Sequence, residues 1–163
     1  MSQNIKNIKI EESKLGAWNP DVNHDIKVAI YDLLEENYFH LLDSDENFFD
    51  VSFKLEESKL TIKVFSISNE INLRSITVNV KKLRKLIREY IILCDSYYLA
   101  IKSAPAAKLE TIDMGRRSLH DQASEEFIEK VKNYIDVDLN TARRFITLIS
   151  VLQRKSSNSF DLY

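Results

Sequence analysis

The stretch FFDVSFKLEESKLTIKVFSISNEINLRSITV, Phe48 to Val78, decides the fold. Phe49, Val51, Phe53 and Leu55 occupy alternate positions, so they share one side of an extended chain. ESK then turns, and Leu60, Ile62 and Val64 alternate again, with Ile67 beyond them. SNE turns once more, and INLRSITV returns. Three alternating runs joined by two polar turns specify an antiparallel meander with one buried face. That face is Phe49, Val51, Phe53, Ile62 and Val64, packed under a long helix. A neighbouring pair such as Val51 and Ser52 should then differ in burial.

Upstream, NIKNIKIEE puts Ile8 and Ile10 on one side of a short first strand, a fourth member for the sheet. A helix follows from about Pro20 to Glu36. Asn19 can cap it, Pro20 fits its first position, Asp21 suits its positive end and Asn37 can close it. Val22, Ile26, Ala29, Ile30 and Leu33 form its apolar stripe, and His24, Val28, Tyr31 and Glu35 its opposite, solvated face. YFHLLDSDEN is a loop or a short extra strand.

Downstream, the longest helix runs from Val80 to Ser103. Leu83, Leu86, Ile87, Tyr90, Cys94, Tyr97, Tyr98 and Ile101 cover nearly half its circumference, as a helix lying across a sheet requires. Pro105 starts a helix to about Leu119, Ser124 caps a shorter one to Tyr134, and Asn140 caps a last one through Lys155. The tail SSNSFDLY, residues 156–163, frays. The fold class is α+β. An antiparallel sheet of three to four strands packs against several helices, with a helical C-terminal half and one domain over residues 1–155.

Composition removes whole classes of function. Charged residues make up 29% of the chain and hydrophobic ones 44%, which is ordinary for a globular protein. The formal net charge of −2 gives no global attraction to nucleic acid, so a basic site must be a local patch. One cysteine excludes an internal disulfide framework and a cysteine-based zinc cluster. The three histidines share no metal-ligand spacing. Gly16 and Gly115 stand alone, so no glycine-rich phosphate loop is present, and no nucleotide cofactor is implied. No apolar run approaches the roughly 20 residues needed to span a bilayer, and MSQNIKNIKIEESK lacks a secretory core. The cytoplasm is the expected location.

Two arginine pairs carry most of what remains. In ETIDMGRRSLH, Arg116 falls on the same stripe as Leu109, Ile112 and Leu119, which predicts strong burial. Asp113 and His120 lie at its edge, and Arg117 is one turn on from Asp113. Gly115 sits mid-helix, where glycine costs roughly 1 kcal/mol against alanine, so something should approach closely there. Arg143 and Arg144 lie in the first turn of the last helix, one solvated and one flanking the core. A cation there opposes the helix dipole, while guanidinium forks and free N–H groups attract anions. Asp113, Arg116, Arg117, His120, Arg143 and Arg144 are therefore the candidate anion- or partner-binding residues. No residue is assigned a catalytic or metal-binding role. Cys94, central in the long helix's stripe, reads as a small buried hydrophobe. Ile92 and Leu99 fall outside that stripe, so either another helix of the chain or a second subunit covers them.

VAIYDLLEEN (Val28–Asn37), CDSYYLAI (Cys94–Ile101), IDMGRRSLH (Ile112–His120) and LNTARRFITLISVL (Leu139–Leu152) together resemble uncharacterised protein family 0262. That is a group of small, chiefly alphaproteobacterial proteins. IDMGRR and TARR are the most specific of these pieces. The resemblance implies a bacterial cytosolic protein and brings no catalytic residue or cofactor with it.

Three functions stay open. The first is a non-enzymatic binding or regulatory protein acting through protein–protein contact, including a homodimer through Ile92 and Leu99. The second binds a phosphorylated ligand or an RNA backbone through Arg116, Arg117, Arg143 and Arg144. The third is an enzyme using His120 with Asp113 as acid and base on a phosphorylated small molecule. Scattered, paired arginines favour the first, a concave patch shared by both pairs favours the second, and His120 beside a carboxylate in a pocket favours the third.

Overall fold

The three alternating runs form β3 (Phe49–Glu56), β4 (Lys59–Ser66) and β5 (Asn72–Asn79), paired antiparallel with Val51 opposite Val64 and Ile62 opposite Ile76. With so few glycines, the two turns place Glu57 and Glu70 at positive φ, a conformation that L side chains adopt at some cost. The computed structural model describes residues 3–11 and 20–160, so the Asn19 cap lies outside the described residues.

β1 (Ile5–Ile10) joins the other side of β3, giving the order β1-β3-β4-β5. It runs parallel to β3, so the sheet is mixed and antiparallel only through its meander. The reason is the crossover: α1 (Pro20–Glu35) returns the chain to the end where β1 began. Asn37 fastens this return. Its side chain accepts from the Ile5 N–H at 2.8 Å and donates to the carbonyls of Leu33, at 2.9 Å, and Ile5, at 3.3 Å. A second, two-stranded sheet pairs β2 (Phe39–Leu41) with β6 (Ile135–Val137). β6 is too short to show a period in the sequence.

Phe49, Val51, Phe53, Ile62 and Val64 are all buried, as the register requires. The contrast expected at Val51 and Ser52 is nevertheless absent, at 2% and 5% exposed. Ser52 stands between Lys9 and Lys63 on the outer face of a central strand, and a side chain that small is shielded by longer neighbours.

The helices depart further from the sequence reading. α2 (Lys81–Ala100) buries only Leu83 and Ile87 fully. The helix centred on the sheet is α4 (Leu139–Phe160), whose Phe145 ring lies 5.0 Å from Phe53, 5.2 Å from Phe127 and 6.5 Å from Phe39. The outer part of the α2 stripe meets another helix instead, which leaves Tyr98 and Ile101 exposed and Cys94 only partly buried. That partner is α3 (Ala106–Val131), one continuous helix where two were expected. Ser124 is thus no cap. It is buried inside α3, and its hydroxyl donates to the His120 carbonyl at 2.8 Å. Nor does Asn140 cap α4. Asp138 does so, its carboxylate accepting from the Thr141 N–H at 2.8 Å. α4 continues to Phe160, past the Lys155 expected as its end, and residues 161–163 lie outside the described ones.

Val22, Ile26 and Ala29 of α1 pack on Leu148 and Leu152 of α4 in a satellite of the main core, while Val28 and Tyr31 face outward. Among the described residues, no helix is long and apolar enough to cross a membrane.

Candidate functional site

α3 and α4 are joined through β6, so the first turns of α4 lie beside the body of α3, and α2 closes the third side. β6 pairs with β2, and the Thr141 hydroxyl accepts from the Tyr38 N–H at 2.8 Å, which fixes where α4 begins. Between the three helices is a cleft of about 470 Å³. Tyr90 lines it from α2, Arg116, Arg117 and His120 from α3, and Asn140, Arg143, Arg144 and Thr147 from α4. The spacing explains the arrangement: 116 and 120, 140 and 144, and 143 and 147 are each one helical turn apart. Both arginine pairs and His120 therefore meet at one place, and among the described residues no carboxylate lines it.

Carboxylates stand at the rim. Asp113 bridges Arg116 and Arg117, the latter at 3.1 Å; Asp121 holds Arg143; and Glu36, at the end of α1, reaches Arg144 at 3.8 Å. Among the described residues, four guanidinium charges against these three carboxylates leave one net positive charge around the cleft. The last contact is long and Arg117 is largely exposed, so Arg117 and Arg144 keep donors for an incoming anion.

Arg116 is not strongly buried: 28% of its side chain is exposed. At Arg116 the surface of α3 faces α2 on one side and the open cleft toward α4 on the other, so it is not sealed. Arg116 lays its guanidinium over the Tyr97 ring, 4.6 Å from the centroid, and pairs with Asp113. What approaches Gly115 is Leu93 of α2, whose Cδ1 would lie 3.2 Å from an added Cβ. The sequence holds both facts only jointly, since neither follows without knowing which faces of α2 and α3 meet.

His120 is the most enclosed polar side chain of the cleft, 9% exposed. Its Nε2 lies 3.2 Å from the Thr147 hydroxyl, and the Tyr90 ring meets it edge-on at 5.1 Å. Thr147 directs its own proton to the Arg143 carbonyl at 3.2 Å, so Nε2–H donates and Nδ1 is left as the bare nitrogen. Nδ1 is buried and has no hydrogen-bond partner among the described residues. Burial, and then the charge of Arg143, hold the His120 pKa below its ordinary 6.5, while Asp121 pulls the other way. Burial and a bond to Cys94 push the Tyr90 phenol up to about 12, so it remains protonated. Asp113 serves the two arginines, and the acid–base pair of His120 with Asp113 is not assembled.

A second cavity of about 480 Å³ lies along β1 and β3, with Glu11, Asp50 and Glu70 in its lining. It borders Glu11, beyond which residues 12–19 lie outside the described ones. Among the described residues, no group of three or more His, Cys, Asp or Glu side chains is placed to hold a metal ion.

The family model described as Uncharacterised protein family (UPF0262) matches residues 2–155. A UPF0262 protein of Brucella anthropi is 40% identical over 151 residues, covering 91% of this chain and 92% of the relative. One from Brucella canis is 42% identical with the same coverage. One from Caulobacter vibrioides is 38% identical over 148 residues, covering 91% of each chain. No solved structure matches.

Proposed function

The chain belongs to the uncharacterised protein family UPF0262, and we propose that it binds a compact phosphorylated ligand in the arginine cleft. One observation carries this reading: four arginines from two helices line a single cleft whose lining, among the described residues, contains no carboxylate. Arginine forks match phosphate oxygens in geometry and charge, and the cleft's other groups are almost all polar. Tyr90 is its one aromatic wall, so a compact anion suits it better than a ligand with a large apolar part. With His120 bonded to Thr147 rather than to a carboxylate, binding is favoured over acid–base catalysis. The cytoplasm, where the charge of phosphorylated small molecules retains them, is the location we propose for it.

The test is thermal unfolding and calorimetry with inorganic phosphate, pyrophosphate and a short single-stranded RNA. A phosphate-type anion at a hundredfold over its Kd should stabilise the wild type by about 2.7 kcal/mol. A variant carrying Arg143→Gln and Arg144→Gln should lose that gain. Binding of the RNA alone, with strong salt dependence, would move the reading to a nucleic-acid backbone. No response to any anion would remove it.

A second reading, contact with a protein partner, rests on a different surface. Ile92, Tyr98, Leu99, Ile101 and Met114 are all exposed on or beside the α2–α3 hairpin, and Ile92 and Leu99, two helical turns apart, share one side of α2. Among the described residues no helix covers Ile92 or Leu99, so covering within the chain, the first of the two expectations for them, is not met.

A further inference from the structure

The cleft holds a feature that anion binding alone does not need. A histidine sits nine-tenths buried among four guanidinium groups, with one ring nitrogen bonded and the other bare. We infer that the cleft takes up its anion together with a proton, which goes to Nδ1 of His120, so that it selects a doubly charged group such as a phosphomonoester dianion. This rests on the anion-binding reading of the same cleft and adds its charge state and its dependence on pH.

Two independent observations support the inference. The first is charge. Among the described residues, the cleft and its rim carry one net positive charge while His120 is neutral. A monoanion is balanced by that charge alone, whereas a dianion leaves one negative charge over. A proton on His120 supplies the missing charge from inside the cleft. The second is hydrogen bonding. An imidazolium has two N–H donors, and Thr147 accepts only the one at Nε2. An N–H at Nδ1 has no acceptor among the described residues, so the cation is disfavoured while the cleft is empty. An anion in the cleft offsets that bias through its charge, since the enclosed Nδ1 is itself out of its reach.

The groups that face His120 set the sign of the effect. From α2 comes Tyr90, whose phenol stays neutral at any working pH. From α4 come Arg143, which repels a proton on the ring, with Arg144, Thr147 and Asn140. On α3 itself, Arg116 and Arg117 line the same cleft and Asp121 favours the cation. Burial and Arg143 together keep the ring neutral in the free protein near neutral pH. A bound dianion offsets Arg143 and raises the proton affinity of the ring. By reciprocity, protonating the ring raises anion affinity by the same factor. Affinity must therefore strengthen as pH falls toward and below the ordinary histidine value of 6.5.

Sulfate is the probe, because it stays a dianion throughout the range and contributes no titration of its own. Calorimetry on the wild type at about pH 8 and about pH 5.5 should show sulfate binding tightened about threefold or more at the lower pH, with about tenfold as the ceiling for a one-unit shift of one proton. His120→Asn should bind with nearly the same affinity at both. Because that variant can also disturb the α3–α4 contact, nuclear magnetic resonance of the wild type gives a second measure. The chain has three histidines, so His24 and His40 are internal controls. Saturating sulfate should raise the His120 titration midpoint by about one unit and leave the other two in place. Sulfate binding with an unmoved His120 midpoint overturns the proton coupling and leaves the anion-binding reading standing. No sulfate binding at either pH overturns both.

Discussion

An arginine on the apolar side of a helix must keep its charge satisfied, whether sealed in with a partner or laid flat along the surface. Arg116 takes the second course, with its stem and guanidinium on Tyr97 and one edge on Asp113. The helical phase that put it with Leu109, Ile112 and Leu119 was legible from spacing. The depth of burial was not, because that depends on where α2 and the open cleft lie around α3. The energetic consequence changes accordingly. Removing one partner of a sealed pair would cost about 3 kcal/mol or more. A partly exposed pair with a cation–π contact is worth about 1 kcal/mol, so Arg116→Met should cost about that much. Arg117, 64% exposed at its side chain, should cost under about 0.5 kcal/mol in the same change. Urea melts of both variants at constant m decide the matter. A loss near 3 kcal/mol at Arg116 would mean that the hairpin closes more tightly over it than this structure has it.

Elements were legible where the pattern is local and strong. The meander shows its period in every strand, and α1 carries its own start signal and stripe. β6, three residues between two helices, shows none. The break expected near Ser124 rested on a serine at a cap-like position, and the sequence does not reveal that its hydroxyl bonds back to the His120 carbonyl inside a continuous helix. Gly115 is the tenth residue of α3, which starts after Pro105, and Leu93 faces it across the hairpin. Two opposed effects act there. Alanine gains roughly 1 kcal/mol of helix propensity over glycine. Its Cβ would meet Leu93 at 3.2 Å, so that side chain must give by a few tenths of an ångström. Leu93 is only half-buried and can do so. Gly115→Ala should therefore stabilise by about 0.5 kcal/mol, whereas Gly115→Leu must force α2 and α3 apart and lose about 1–3 kcal/mol. Thermal unfolding of the two variants measures both. A destabilising alanine would show that Leu93 is fixed and that glycine is there for the helix contact.

For the molecule as a whole, the residue types of the cleft were legible and their convergence was not. Arg116 and Arg143 are far apart in sequence, and only the α3–β6–α4 connection, with α2 alongside, brings them to one cleft. The same packing decides what is left bare. α2 directs Tyr90, Leu93 and Tyr97 toward α3 and ties Asp95 to Arg154 of α4 at 3.1 Å, which leaves Ile92 and Leu99 outside, at 52% and 81% exposed. They lie seven residues apart, the repeat that lets two helices pair along a seam. A second copy of the chain is the simplest occupant for such a stripe, but these two side chains alone are far from the roughly 800 Å² per partner of a stable interface. Other side chains on that side of α2 would have to join them. The proposed dimer is therefore weak, and sedimentation across a micromolar concentration series is the measurement suited to it. The wild type should move from monomer toward dimer as concentration rises, and Ile92→Asp should remain monomeric throughout while unfolding at the wild-type temperature. The cleft opens between α2, α3 and α4 and does not include Ile92, so that variant should also bind sulfate as the wild type does. A wild type that stays monomeric at the highest concentration would leave the exposed stripe to a different protein and remove the homodimer.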